Sequence, residues 1–392
     1  MNFFKKSILT VILFLLLGTS FSFAEEAIYI DNSPFVGGKT YGASEPNNQE
    51  QVNFLTKIRK GRQMVALHVE EVFAGKFVEP EVVSITISAA GDVTLGGDDR
   101  YGYEGSFNQE AKREGLGHFV ENIKDLFSKD DLTMVNLEGA LTNATARKDK
   151  QFTFRGDPSY TEILTNGNID VVNLANNHTL DFFQKGYEDT INHLKDAGVG
   201  YFGFENHLMT EIKEVKIGLL GYTGWYDSTT LRNQIKKDID NLREEGAKIV
   251  IVNFHWGQER SYVPNQTQKS LGRYTIDSGA DLVVGHRPHV IQGIEEYNGK
   301  FIVYSLANFM FGGNRNPSDK DTFVFQQTFH LIDGELTDEK EVKVIPFSVS
   351  SVSHRNNFQP TPLIGDEAKR VRQKIIDLSL DLNETNWVQY EK

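Results

Sequence analysis

Residues 279–289 read Gly-Ala-Asp-Leu-Val-Val-Gly-His-Arg-Pro-His, and this one stretch carries the pattern of the chain. Asp281–Gly285 is a short apolar run rich in valine and bounded by turn formers, which predicts a buried strand. Just upstream, Thr267–Ser278 has helical spacing, and Gly279 is the residue type on which helices commonly close. Just downstream, the strand runs into His286, Arg287 and His289. A helix, then a strand, then a loop of potential ligands is one unit of a layered α/β domain.

Working outward, the same unit recurs. Further strands are expected at Ser84–Ala90, Leu132–Asn136, Asp170–Leu174, Val215–Gly221, Lys248–Phe254 and Phe301–Tyr304. Further helices are expected at Gly117–Phe127, Phe182–Ala197 and Asn233–Gly246. Thr322–Ile332 and Val342–Val349 read as later antiparallel strands, and the tail from residue 351 to 392 holds one helix, Asp366–Leu380. Before the α/β pattern, residues 25–82 form a linker with helical spacing between Val52 and Phe77.

The N-terminus carries an address. Lys5 and Lys6 precede an apolar run from Ile8 to Leu17, and Ser22 and Ala24 are the small residues of a cleavage site. Residues 1–24 therefore predict export, the segment being either removed after Ala24 or kept as an uncleaved anchor. The chain has no cysteine, so disulfides, a lipidated cysteine and a cysteine nucleophile are excluded. Any metal site must use oxygen and imidazole ligands. A net charge of -13 argues against nucleic acid as a partner. Without a Walker loop, a G-x-G-x-x-G helix start or a G-x-S-x-G elbow, nucleotide-driven and serine-elbow chemistries lack support.

Chemistry collects where the strands end. The predicted strands run into Gly91-Asp92, Asn136-Leu137-Glu138, Asn173 to His178, His255-Trp256-Gly257 and Gly285 to His289. Of the 10 histidines in the chain, His178, His255, His286 and His289 lie at such ends. In open α/β sheets the crevice beyond the carboxyl ends of strands is where ligands bind. Carboxylates, an amide oxygen and neutral imidazoles suit Mn²⁺, Zn²⁺ or Fe, as one ion or a pair. Each residue also has a purely structural reading. Asp92 suits a turn, Glu138 a helix start, Asn177-His178 a capping pair, His255 a core position and His289 a proline turn. Arg155 and Arg287 suit the surface, and Phe107, Phe152 and Phe154 suit core or pocket wall.

Seven segments then support a family resemblance. GDVTLGG (Gly91–Gly97), NLEGALT (Asn136–Thr142), FTFRGDP (Phe152–Pro158) and NLANNHTLDF (Asn173–Phe182) come first. HWGQE (His255–Glu259), GADLVVGHRPHVIQGIE (Gly279–Glu295) and YSLANFMFG (Tyr304–Gly312) follow in order. Together they resemble the CapA family of capsule (poly-γ-glutamate) synthesis proteins, which is similar to calcineurin-like metallophosphatases. The resemblance implies a four-layer α/β/β/α sandwich over residues 83–350. It implies a metal held by Asp92, Glu138, Asn177, His255, His286 and His289, with Glu138 bridging. It gives His178 the general-acid role and suggests Arg155 and Arg287 for binding a substrate phosphate or carboxylate. The implied partners are an anionic polymer such as poly-γ-glutamate and membrane capsule-synthase subunits. The implied role is either a metal-dependent hydrolase or a non-catalytic accessory subunit that binds polymer or synthase. Some positions depart from the pattern. Thr94 stands where metallophosphatases keep a histidine, Glu138 where they keep an aspartate, and Arg287-Pro288 separates two histidines usually one residue apart. Within the CapA pattern, Arg287 replaces a histidine and Ala307 a glycine.

Overall fold

The computed structural model describes residues 80–392. The expected leader at 1–24 and the helical spacing at Val52–Phe77 lie outside the described residues. Within them the chain is a mixed α/β domain built on two mixed sheets.

The first sheet is organised around Val82–Thr94, a strand longer than the expected Ser84–Ala90. On one side Val82–Thr94 runs parallel to Leu132–Leu137, which in turn runs parallel to Val171–Asn173. On its other side it pairs antiparallel with Asp321–Ile332, which pairs antiparallel with Glu341–Ser348. Its last residues also pair in parallel with Asn308–Phe311. The second sheet holds Lys300–Val303, Leu282–His286, Ile249–Trp256 and Val215–Gly224 in parallel. Antiparallel strands, Ile294–Tyr297 and Leu208–Ile212, close its edges.

Near-continuous apolar runs made these strands legible, because a parallel strand is covered on both faces. One apolar cluster joins Ile85, Ile87 and Met134 of the first sheet to Leu219, Ile251 and Val284 of the second, so the sheets share a core. A second cluster packs Val93, Val135 and Val172 against Phe119, Ile163 and Leu194. A third packs Val250, Val252 and Val283 against Ile235, Ile239 and Leu271. Each such side chain contributes about 1.5–3 kcal/mol by leaving water.

The helices follow their local signals. Thr229–Glu244 starts at Ser228, whose side chain accepts from the Leu231 N–H at 3.2 Å, and it buries Ile235, Ile239 and Leu242 on one face. Gln266–Asp277 opens with a capping box formed by Asn265 and Gln268. One expectation is corrected here, and one element is added. Gly117–Phe127 is not one helix but a 3₁₀ turn at Leu116–Val120 and a single helical turn at Lys124–Phe127. A helix at Phe107–Glu114, capped by Ser106, was not anticipated.

Register decides where the chemistry falls. Asp92 pairs with Asn136, and Asn136 with Asn173, on adjacent strands of the first sheet. In the second sheet Thr223 pairs with His255, and His255 with His286. Polar residues thus share a rung at the carboxyl ends of both sheets, although those strands are apolar elsewhere.

Candidate metal centre

Asp92, Glu138 and His255 are buried, and one ligand atom from each lies within 4.8 Å of the others. This group can bind a metal ion. The other expected ligands join it through short contacts. His286 Nδ1 is 3.5 Å from Asp92 Oδ1, and His289 Nδ1 is 3.0 Å from Asp92 Oδ2. His255 Nε2 lies 3.8 Å and His289 Nε2 4.0 Å from Glu138 Oε1. Asn177 Oδ1 meets His255 Nε2 at 2.6 Å. All six expected ligands are gathered, with His178 Nε2 3.8 Å from Glu138 Oε1.

The sharpest feature is Glu138. Both of its carboxylate oxygens are buried and lack a hydrogen-bond partner, and so does His286 Nδ1. Buried polar atoms are nearly always satisfied, so an orphaned carboxylate facing imidazoles needs an explanation. A cation is the group that such donors fit. Loop strain does not account for Glu138, whose backbone is tied down: its N–H donates to Val93 O at 2.8 Å, and Thr94 Oγ1 donates to its carbonyl at 2.8 Å.

The electrostatics agree. Burial pushes the Glu138 carboxyl up to about 8, with nearby Asp92 adding to the rise and His289 opposing it. His289 is itself raised to about 9, because Glu138 and Asp92 outweigh the opposing effect of burial. Burial would raise Asp92 too, but contacts from His286 and His289 hold it well below the usual carboxylate range. Burial keeps His255 well below the usual imidazole range, in the neutral form a metal ligand requires. Burial thus raises Glu138 and lowers His255, while the Asp92 and Glu138 carboxyls and the His289 imidazole shift one another across the same few ångströms.

A layer of amides orients these groups. Asn136 Nδ2 donates to Asp92 Oδ1 at 2.9 Å, and Asn173 Nδ2 donates to Asn136 Oδ1 at 2.9 Å. Asn253 Oδ1 is 3.0 Å from His286 Nε2, and Asn308 Oδ1 is 2.8 Å from His289 Nδ1. With Nε2–H of His286 given to Asn253, its Nδ1 lone pair is left for the centre. On His178, Nδ1 contacts Asp181 Oδ2 at 2.6 Å, and the ring stacks on Phe154 at 4.1 Å. Burial lowers the His178 pKa more than Asp181 raises it.

Matching these residues to known proteins gives the family. The description "Bacterial capsule synthesis protein PGA_cap" matches residues 86–313, more than half of the chain. The chain belongs to this family. It is 30% identical over 266 residues to the PGA biosynthesis protein CapA of Bacillus subtilis, covering 61% of this chain and 68% of that protein. It is 27% identical over 276 residues to the capsule biosynthesis protein CapA of Bacillus anthracis, covering 64% of each. A probable polyglutamine synthesis accessory protein of Mycobacterium tuberculosis is 28% identical over 208 residues, covering 45% of this chain and 55% of its own length. Among solved structures, a hypothetical protein from Thermus thermophilus aligns with 67% of this chain and 99% of its own, at 14% identity and a TM-score of 0.42.

Within this PGA_cap domain the two arginines have different surroundings. Arg287 borders the centre: its N–H donates to Asp92 Oδ2 at 3.3 Å, and its guanidinium lies 4.6 Å over the Trp225 ring. Trp225 in turn meets His255 edge-on. Arg155 is engaged elsewhere, donating to Ala144 O at 2.6 Å and Asp99 Oδ2 at 3.1 Å. Arg287, His289 and Ala307 have φ of 96°, 57° and 66°. Strained non-glycine backbone of this kind collects at functional sites. Sequence reasoning did not single out Asn136, Asn253, Asn308 or Asp181 for roles at the centre. For the three asparagines the signal available was a buried amide within or at the end of an apolar strand, where burial demands a partner.

Proposed function

We propose that this protein is an exported, metal-dependent, hydrolase-like component of poly-γ-glutamate capsule synthesis, export or modification. Its domain would be a metallophosphatase-like four-layer sandwich. The observation that carries the reading is the unpartnered carboxylate of Glu138 among three imidazoles and Asp92. The names of the two Bacillus relatives support the capsule polymer as its setting. Because the chain spans 68% and 64% of those relatives, their wider roles also come here as proposals. Residues 1–24 supply the export signal or anchor, and membrane capsule-synthase subunits are the expected partners.

In this reading Asp92, Glu138, Asn177, His255, His286 and His289 hold one or two ions of Mn²⁺, Zn²⁺ or Fe. A bound ion of this kind polarises a phosphoryl or carbonyl oxygen and makes hydroxide available near neutral pH. The chain's own residues supply the rest. Asn136 and Asn253 fix Asp92 and His286 in orientation. Asp181 engages His178 Nδ1 and leaves Nε2 to exchange a proton with a leaving group, either of a phosphoester or of a γ-glutamyl amide. Phe154, stacked on His178, restricts its rotation.

A specific observation favours a second reading, a non-catalytic subunit that binds polymer or synthase. Thr94 stands where metallophosphatases keep a ligand, and its hydroxyl is spent on the Glu138 carbonyl. Metal content by ICP on untagged protein, beside an Asp92→Ala/His286→Ala double variant, tests the main proposal. We expect one or two equivalents of transition metal in the native protein and loss in the variant. Protein that stays metal-free after reconstitution with Mn²⁺ and Zn²⁺ rules the metal-dependent reading out. Bound metal with cleavage of γ-glutamyl oligomers that His178→Ala abolishes separates the enzyme from the accessory subunit.

A further inference from the structure

Resting on the acidic polymer as ligand, we propose that Arg260 is the residue that receives a substrate carboxylate beside the metal centre. A cleft of about 350 Å³ has His178 and His289 in its wall, so it opens directly onto the centre. That volume is at the small end of ligand sites and suits one or two polymer units. Phe154 and Phe311 give the wall apolar surface for methylene groups.

Charge selects Arg260. It is the one lysine or arginine in the wall, and among the described residues no carboxylate lies within ion-pair distance of it. The wall's two acidic residues are already balanced from outside it. Glu259 is 3.4 Å from Arg287 Nη1, and Asp319 is 2.8 Å from Lys374 Nζ. The sequence pointed instead to Arg155 and Arg287. Neither lines this cleft, and both are held by carbonyls and carboxylates of the chain itself.

The backbone holds Arg260 in place. Its φ is 62°, a conformation uncommon for arginine, and its N–H donates at 2.7 Å to the carbonyl of Pro288. Pro288 lies between Arg287 and His289, so Arg260 is attached to the loop that carries the centre's histidines. A strained arginine anchored there, with an exposed side chain lacking a partner, is placed for a planar, bidentate grip on carboxylate.

The test is fluorescence anisotropy with a labelled γ-linked glutamate oligomer and the metal-loaded full chain. A second oligomer has its carboxylates converted to carboxamides. We expect Arg260→Gln to raise Kd for the acidic oligomer about 10-fold or more, since a charge-assisted pair is lost. Arg260→Lys should recover part of that loss, keeping the charge without the fork. The carboxamide oligomer should bind wild type and Arg260→Gln alike. Equal affinity of wild type and Arg260→Gln for the acidic oligomer overturns the role of Arg260 and leaves the polymer reading standing. A wild type that binds the two oligomers equally overturns carboxylate recognition at this cleft, and Arg260's role with it. A wild type that binds neither overturns the polymer reading, and Arg260's role falls with it.

Discussion

At the scale of single residues, Glu138 sets function against stability. A buried carboxylate with no partner costs about 1–3 kcal/mol, and its native pKa of about 8 means that folding takes up a proton there. The sign follows: the folded state binds the proton more tightly, so chelated protein loses stability as pH rises from about 5 towards about 8. Glu138→Gln keeps the shape and removes the charge. In chelator at pH 8 it should melt several degrees above wild type, with the gap closing at pH 5. With metal restored the order should reverse, because the variant has lost a ligand. A chelated Glu138→Gln that melts below wild type at pH 8 would mean that the carboxylate is satisfied in solution and the centre wrongly read. The residues gathered at the centre were legible as a set in the sequence because histidine and acid are rare at the ends of apolar strands. Their amide partners were not, since Asn136 or Asn253 acquires its role only when another strand or loop is brought against it.

At the scale of elements, the centre depends on how closely strands approach. Gly91 lies one residue before Asp92, and a Cβ built there would sit 2.1 Å from the carbonyl oxygen of Ala307. That same carbonyl accepts the Asp92 N–H at 2.9 Å, so the segment before Asn308–Phe311 fixes where Asp92 points. Gly91→Ala must push the two segments apart. We expect a loss of about 3 kcal/mol or more, with reduced metal retention, read by thermal melting and ICP. Wild-type values for both would refute the claim that close backbone packing aims Asp92. Element positions were largely legible, since valine- and isoleucine-rich runs bounded by glycine report burial on both faces. Residues 95–130 were not. Phe107–Glu114 is short and mostly polar, and its burial through Phe107 and Ala111 depends on neighbours distant in sequence. The surroundings of Arg155 were hidden for the same reason, because Asp99 and Ala144 reach it only in the folded chain.

At the scale of the whole molecule, the family match and the folded unit differ in extent. The match ends at residue 313, yet Val82–Thr94 lies between Leu132–Leu137 and Asp321–Ile332. A chain ending at 313 would leave that central strand with a long unpaired edge, a template for aggregation. The tail beyond 350 is also built in. Val371, Ile375 and Trp387 belong to the apolar cluster shared by both sheets. Ser379 Oγ accepts from the Ile294 N–H at 2.9 Å, and Thr385 Oγ1 accepts from the Glu296 N–H at 2.8 Å. The tail therefore covers the edge strand Ile294–Tyr297, which a helix or loop must do if that edge is to stay inert. We expect protein truncated after Ser350 to aggregate or to lose its cooperative thermal transition. The milder Ile375→Ala should fold with a loss of about 2–5 kcal/mol by urea titration. Because the edge strand follows directly from the His286–His289 loop, the same truncation should lower metal content per folded molecule. If the truncated chain melts and binds metal like the full one, the tail is an appendage and the centre is supported by the two sheets alone.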